Sequence, residues 1–165
     1  MLFRSRLIPD CIRAFMSQTP LVLRRPEAQR PWQHVLESLS GYLLLGSQLN
    51  QQENQEAWNF GPNEDQVASV ETVVKQVLHL WGEGSYSIVQ DRHLHEMTLL
   101  SLSNNKAKSR LHWSPIFSRE EALYATVEWY KTWAQNPNQD MTDITQKQLL
   151  SYVHQAQAKG AIWVS

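Results

Sequence analysis

Apolar residues recur along this chain at intervals of three and four, interrupted by short runs with a period of two. Over 7–16, Leu7, Cys11, Ile12 and Phe15 share one helical face. Over 35–49, Leu36, Leu39, Leu43 and Leu44 do the same. A third helix over 70–81 uses Val70, Val73, Val74, Val77 and Trp81, with Ser69 placed where an N-cap hydroxyl accepts from the first turn. The stretch "SREEALYATVEWYKTW" opens on Ser118 and Glu121, the spacing of a capping box, and continues with Leu123, Val127 and Tyr130 at helical spacing. A last helix is expected behind a second box, Thr145 with Gln148.

Between these helices stand short strand candidates: "LVLR" (21–24), "AWNFG" (57–61), "SYSIVQ" (85–90), "MTLLSLS" (97–103) and "AIWVS" at the end. Helices and strands alternate, which predicts a mixed, helix-rich α/β class. Five strands scattered among helices make a poor central sheet, and "AWNF" reads as a strand in need of neighbours. No internal repeat or low-complexity linker appears, and "NQQENQE" (50–56) reads as a polar loop. Residues 1–165 are therefore expected to form one partial domain.

Composition narrows the picture. A chain of 165 residues, 42% of them apolar, is long enough for one domain with a sizeable core. No apolar run approaches the length of a membrane span, the longest being "GYLLLG", and "MLFRSRLIPD" lacks the apolar stretch of a signal peptide. The single cysteine, Cys11, fits a reducing cytoplasm and, inside a helical pattern, reads as a packed thiol. A net charge of −1 argues against a general nucleic-acid binder. The charge is uneven, however. The first thirty residues carry Arg4, Arg6, Arg13, Arg24, Arg25 and Arg30 against Asp10 and Glu27. Guanidinium groups suit two-pronged contact with phosphate, although a solvated basic face has the same composition.

Self-contained catalytic apparatus is missing from the pattern. There is no G-x-G-x-x-G, P-loop, C-x-x-C, H-E-x-x-H or G-x-S-x-G, and none of Tyr42, Tyr86, Tyr124, Tyr130 or Tyr152 has a lysine four places on. "HLHE" puts His93 and His95 on one strand face, but no further ligand stands at metal spacing, so solvated imidazoles are the simpler reading and no metal is assigned. His79 and His154 fall on helices and are expected to be half-exposed. Trp81, Trp113, Trp129 and Trp133 fall where helices pack, whereas Trp32 and Trp58, beside turns, could wall a ligand pocket.

Taken in order, "RLIPDCIRAF", "RPWQHVLESLSGYLLL", "AWNFGP", "LWGEGS", "NKA" before "LHWSP", and "ALYATVEWYK" resemble the C-terminal portion of the CDP-glucose 4,6-dehydratases, a family of extended short-chain dehydrogenases/reductases. The resemblance runs from Arg6 to about Tyr152. It implies a nucleotide-sugar-binding lobe for CDP-glucose or a similar molecule. Arg30, opening an "R-x-W-x-x-V" stretch, would then clamp the diphosphate. Arg6 and Leu7 would meet the nucleotide, Val22 and Arg24 would flank the base, and His93 and Glu96 would lie against diphosphate and ribose. His93 departs from a cationic position, and "LLSLSNNKA" carries Leu99 and Ser103 where relatives have an aromatic and an aspartate; Ser103 or Asn104 can still cap the next helix.

The family reaction oxidises glucose C4 with NAD, eliminates water across C5 and C6, and returns the hydride to C6. The glycine fingerprint and catalytic Ser/Thr, Tyr and Lys that it needs would precede Arg6, so no catalytic residue and no cofactor of its own are assigned to this chain. The resemblance thus implies a cytoplasmic lobe that works with a separate Rossmann half or as a homo-oligomer, with no nucleic acid and no membrane. It also implies apolar surface left bare on the helices over 7–16 and 35–49. A non-catalytic nucleotide-sugar or protein interaction module, and a truncated gene remnant, are the alternatives.

Overall fold

In the computed structural model, residues 6–48, 56–89 and 99–164 are described, and they form two compact units. Unit 1 is built from residues 1–30, 68–100 and 123–139; unit 2 from 31–67, 101–122 and 140–165. The elements in chain order are α1 (Leu7–Met16), β1 (Leu21–Leu23), β2 (Gln29–Pro31), α2 (Val35–Ser47), β3 (Val67–Ser69), α3 (Val70–Trp81), β4 (Tyr86–Ile88), α4 (Asn105–Leu111), α5 (Arg119–Gln135) and α6 (Thr142–Ala158). Short 3-10 turns stand at Glu64–Gln66 and Ile162–Val164. The helix-rich α/β class holds.

In unit 1, α1 turns Cys11, Ile12 and Phe15 inward, and α3 buries Val73, Val74 and Val77. The two helices pack on each other, and α1 also packs on β1. Burying each such side chain contributes about 1.5–3 kcal/mol, so the apolar face of α1 is covered within its own unit rather than left bare. Ser69 caps α3 as expected, its Oγ accepting from the Thr72 N–H at 3.1 Å. The helix stops at Gly82, whose φ of +101° is open to glycine at no steric cost and whose N–H returns to the Leu78 carbonyl at 2.9 Å. The chain then re-enters as β4, parallel to β1, with Leu21 opposite Tyr86 and Leu23 opposite Ile88. Strands β2 and β3 form a second two-stranded sheet.

In unit 2, Leu44, Phe60, Ala107, Leu111 and Trp113 form the core, with Leu45, Trp58 and Trp163 packed around it. Phe60 stands edge-on to Trp113 at 5.1 Å between ring centroids. A side chain at Gly41 would put its Cβ 2.3 Å from the Phe60 ring, so only glycine lets α2 approach this closely.

Several expectations change. Helix α2 forms, but it buries Glu37, Ser40, Gly41 and Leu44, leaving Leu39 and Leu43 in solvent. Residues 57–61 are irregular rather than a strand. The carbonyls there are met by side chains: Gln33 Nε2 donates to Phe60 O at 2.9 Å, and Asn104 Nδ2 donates to Gly61 O at 2.8 Å. Asn104 is thereby diverted from capping α4, and of the two candidate caps it is Ser103 whose Oγ accepts from the Asn105 N–H, at 3.5 Å. Helix α6 starts three residues before the expected box, with Asp140 Oδ1 accepting from the Thr142 N–H at 2.9 Å. Residues 162–164 form a 3-10 turn, and of 97–103 the described part pairs only through Leu99, opposite Gln29.

Candidate functional site

The described residues assigned to a nucleotide-sugar all fall in unit 1. Arg6 is the N-cap of α1, in extended conformation, and its side chain makes no capping hydrogen bond. Leu7 opens the helix and is half-buried. Val22, the middle residue of β1, points outward and is 53% exposed while Leu21 and Leu23 point in. Arg24 follows directly and is exposed. Helix α1, with Arg6 and Leu7 at its amino end, packs on β1, which follows it after a short turn and runs into Arg24.

Arg24 stands at the carboxyl end of β1, and β4, parallel to it, ends alongside. Val89, just past β4, donates its N–H to the Leu23 carbonyl at 2.9 Å, and its position puts it on the same outward face as Val22. Two exposed valines thus offer an apolar wall beside Arg24.

Arg30 is not in this sheet. It lies in β2, half-buried, with Nη1 donating to the Gln29 carbonyl at 2.8 Å. Its neighbour Gln29 accepts from the Leu100 N–H at 3.1 Å. Arg30 thus belongs to a different sheet from the β1–β4 pairing that holds Val22. His93 and Glu96, with His95, lie outside the described residues.

The rest of "RPWQHV" acts inside unit 2. Gln33 Nε2 reaches Ser38 Oγ at 2.7 Å as well as Phe60 O. His34 is the N-cap of α2: its Nδ1 accepts from the Leu36 N–H at 3.3 Å. Burial pushes its pKa down, which keeps the ring neutral and Nδ1 an acceptor. Lys106 Nζ sits 4.3 Å above the Trp58 ring, and the indole packs on the core.

Sequence reasoning missed the most polar part of the interior. Glu37 is 1% exposed, and its carboxylate accepts from the Ile116 N–H (2.9 Å), the Phe117 N–H (2.7 Å) and the Tyr152 hydroxyl (2.9 Å). Ser40 Oγ lies 3.1 Å from that hydroxyl and accepts from Trp113 Nε1 at 3.0 Å. Burial raises the Glu37 pKa, and these donors pull it back down, with Lys159 adding a positive charge nearby. Burial and the adjacent carboxylate push the Tyr152 phenol well above its usual range, so it stays a donor. The sequence signal was available: Glu37, Ser40, Gly41 and Leu44 also follow helical spacing, but a rule that seeks apolar residues passes over it. The network ties three segments of unit 2 together and offers no exposed group for chemistry.

Cys11 is fully buried, and burial beside Asp10 pushes its thiol up to about 12. It is a packed thiol, as expected. A dinucleotide cofactor finds no cradle among the described residues. Among the described residues a strand runs on into a helix twice, β2 into α2 through Trp32, Gln33 and His34 and β3 into α3 directly, and neither passage has a glycine turn.

Over 153 residues, 91% of its length, the chain is 35% identical to CDP-glucose 4,6-dehydratase of Salmonella typhimurium, and it spans 42% of that protein. The resemblance drawn from the motifs is borne out over nearly the whole chain. No protein-family profile matches it. UDP-glucuronic acid 4-epimerase of Bacillus cereus, solved with UDP-glucuronic acid and NAD, has a similar fold with a TM-score of 0.64 at 18% identity; 78% of this chain and 40% of that one align. dTDP-glucose 4,6-dehydratase of Bacillus anthracis, solved with NAD, gives a TM-score of 0.60 at 24% identity over 77% of this chain and 39% of that one. No helix of the described residues is long and apolar enough to cross a membrane.

Proposed function

The chain is homologous to one part of CDP-glucose 4,6-dehydratase, and from that premise we propose that it is the nucleotide-sugar-binding part of such an enzyme. It takes CDP-glucose or a close analogue on unit 1 and depends on a separate NAD-binding half for conversion to CDP-4-keto-6-deoxyglucose. The observation that supports this reading is the parallel pairing of β1 with β4, with Arg24 following the carboxyl end of β1 and α1, capped by Arg6, packed on that strand. In α/β folds, ligands gather outside the carboxyl ends of parallel strands. A helix amino end and two guanidinium groups favour a diphosphate there.

Each residue then has a task. Val22 lies flat against the base, Leu7 closes its edge, and Arg6 and Arg24 take phosphate oxygens. Arg30, in its own sheet, reaches the diphosphate from the other side; His93 and Glu96 complete the contacts to diphosphate and ribose. The chain contributes binding and orientation, while oxidation at C4 and proton abstraction are left to the NAD-binding half. The residues present do not fit the cofactor, so no step is assigned through it.

Calorimetric titration with CDP-glucose tests the reading. Loss of one charge-assisted contact costs about 1.5–3 kcal/mol, so Arg30→Ala and Arg24→Ala should each weaken binding by that amount. Equal affinity for the wild type and Arg30→Ala would remove Arg30 from the site. Purified chain with CDP-glucose and NAD should give no 4-keto sugar, and its appearance would overturn the division of labour. Tight binding with no response to an added NAD-binding half would instead mark a self-sufficient, non-catalytic module.

A further inference from the structure

Arg24 stands on a stretch of backbone that is held on both sides. On one side, the ladder of β1 to β4 opens with the Leu21 N–H donating to the Ser85 carbonyl at 3.0 Å. It closes with the Val89 N–H donating to the Leu23 carbonyl at 2.9 Å. On the other side, the Arg25 carbonyl accepts from the Ala28 N–H at 3.3 Å. The carbonyls of Pro26 and Ala28 then accept from the first N–H groups of α3, those of Glu71 and Val70, at 2.9 Å each. Glu71 also reaches the opposite flank. Its Oε1 accepts from the Tyr86 hydroxyl at 2.8 Å and from Lys75 Nζ at 2.9 Å. One residue at the amino end of α3 is thus bonded both to the chain two positions beyond Arg24 and to the strand that pairs with β1. The tie to Tyr86 matters because β4 buries little: none of its three residues is buried, and Ile88 is 47% exposed. An element with so little burial opens easily unless polar contacts hold it.

We propose that Glu71 is a positioning residue for Arg24: it holds the backbone on either side of that residue, so that the guanidinium is pre-set for the phosphates of a nucleotide-sugar. The proposal rests on the functional reading above, which puts Arg24 at the diphosphate; Glu71 itself touches no ligand. Backbone that is fixed before the ligand arrives lowers the ordering cost of binding. The geometry uses the acceptor at Glu71 rather than its charge. Tyr86 needs an oxygen to donate to, and a carboxylate and an amide both offer one. The ion pair with Lys75, whose side chain is 60% exposed, is of the kind that contributes little.

The test is a set of double-mutant cycles on the full chain, read by calorimetric titration with CDP-glucose. Glu71→Ala and Tyr86→Phe should each weaken binding about fivefold, the factor for one hydrogen bond, and together no more than either alone. Once Arg24 is replaced by alanine, neither should weaken binding by more than about twofold further. Glu71→Gln keeps the acceptor and should bind within about twofold of the wild type. Glu120→Ala, which removes an exposed ion-pairing carboxylate on α5, should bind as the wild type does. Far-ultraviolet circular dichroism accompanies each variant. Should Glu71→Ala lose its fold, Tyr86→Phe, which removes a single oxygen, carries the test. Three results would overturn the proposal and leave the functional reading standing: wild-type affinity in Glu71→Ala and Tyr86→Phe, a loss that adds in full to that of Arg24→Ala, or Glu71→Gln binding as weakly as Glu71→Ala. Wild-type affinity in Arg24→Ala, or no binding by the wild type, would overturn both.

Discussion

Glu37 shows how much a single buried carboxylate organises. Three donors converge on it from two other segments, and a buried donor left without its acceptor costs roughly 1–3 kcal/mol. Glu37→Gln keeps the shape but turns an NH2 group toward a donor, so it should cost about 2 kcal/mol. Glu37→Ala should cost more, and urea titration measures both. His34 adds a pH-dependent contribution. Burial holds its folded pKa below the ordinary 6.5, so the native state binds fewer protons than the unfolded chain. Its capping contribution is complete above pH 6.5 and is lost as pH falls through the folded value. His34→Asn retains an acceptor at the cap and should flatten the stability profile below pH 6.5. An unchanged profile would place the titration elsewhere.

At the scale of elements, what the sequence reveals depends on whether a segment is ordered by its own pattern or by distant side chains. Helix α1 is legible from apolar spacing alone, and α3 and α5 because apolar spacing and local caps agree: Ser69 caps α3, and Ser118 and Glu121 close their box at 3.1 and 2.7 Å. Strands β1 and β4 were legible from β-branched and aromatic runs. The irregular 57–61 segment was not, because its carbonyls are met by Gln33 and Asn104, 27 and 43 residues away. Strands β2 and β3 are three residues each and carry no periodicity. The candidate site divides the same way. Val22 and Arg24 follow one another along a strand that the local pattern predicts, whereas the separate sheet of Arg30 follows from strand pairings that no local pattern encodes. The face of α2 was misread because its inner side is polar, and the apolar side is the one left outside.

At the scale of the molecule, connectivity sets the expected cooperativity. The chain crosses between units after residues 30, 67, 100, 122 and 139. Three of those crossings fall inside β2, β3 and α5, regular elements that run without a break. Neither unit can unravel without fraying an element of the other, so one transition is expected despite two cores. Cys11 reports on unit 1: its thiol, fully buried and pushed up to about 12, reacts with alkylating agents only through opening. Glu37→Gln perturbs unit 2 alone. A cost of about 2 kcal/mol there corresponds to a roughly thirtyfold rise in the open fraction, at 1.36 kcal/mol per decade. If the units unfold together, native-state alkylation of Cys11 should accelerate by that factor, and the melting midpoint should fall by about 4–8 °C. Trp113 reports on unit 2 through the NMR resonance of its indole N–H, which is bonded to Ser40 Oγ at 3.0 Å. Loss of that signal while Cys11 stays protected would mean that the interleaved chain leaves the two units thermodynamically separate.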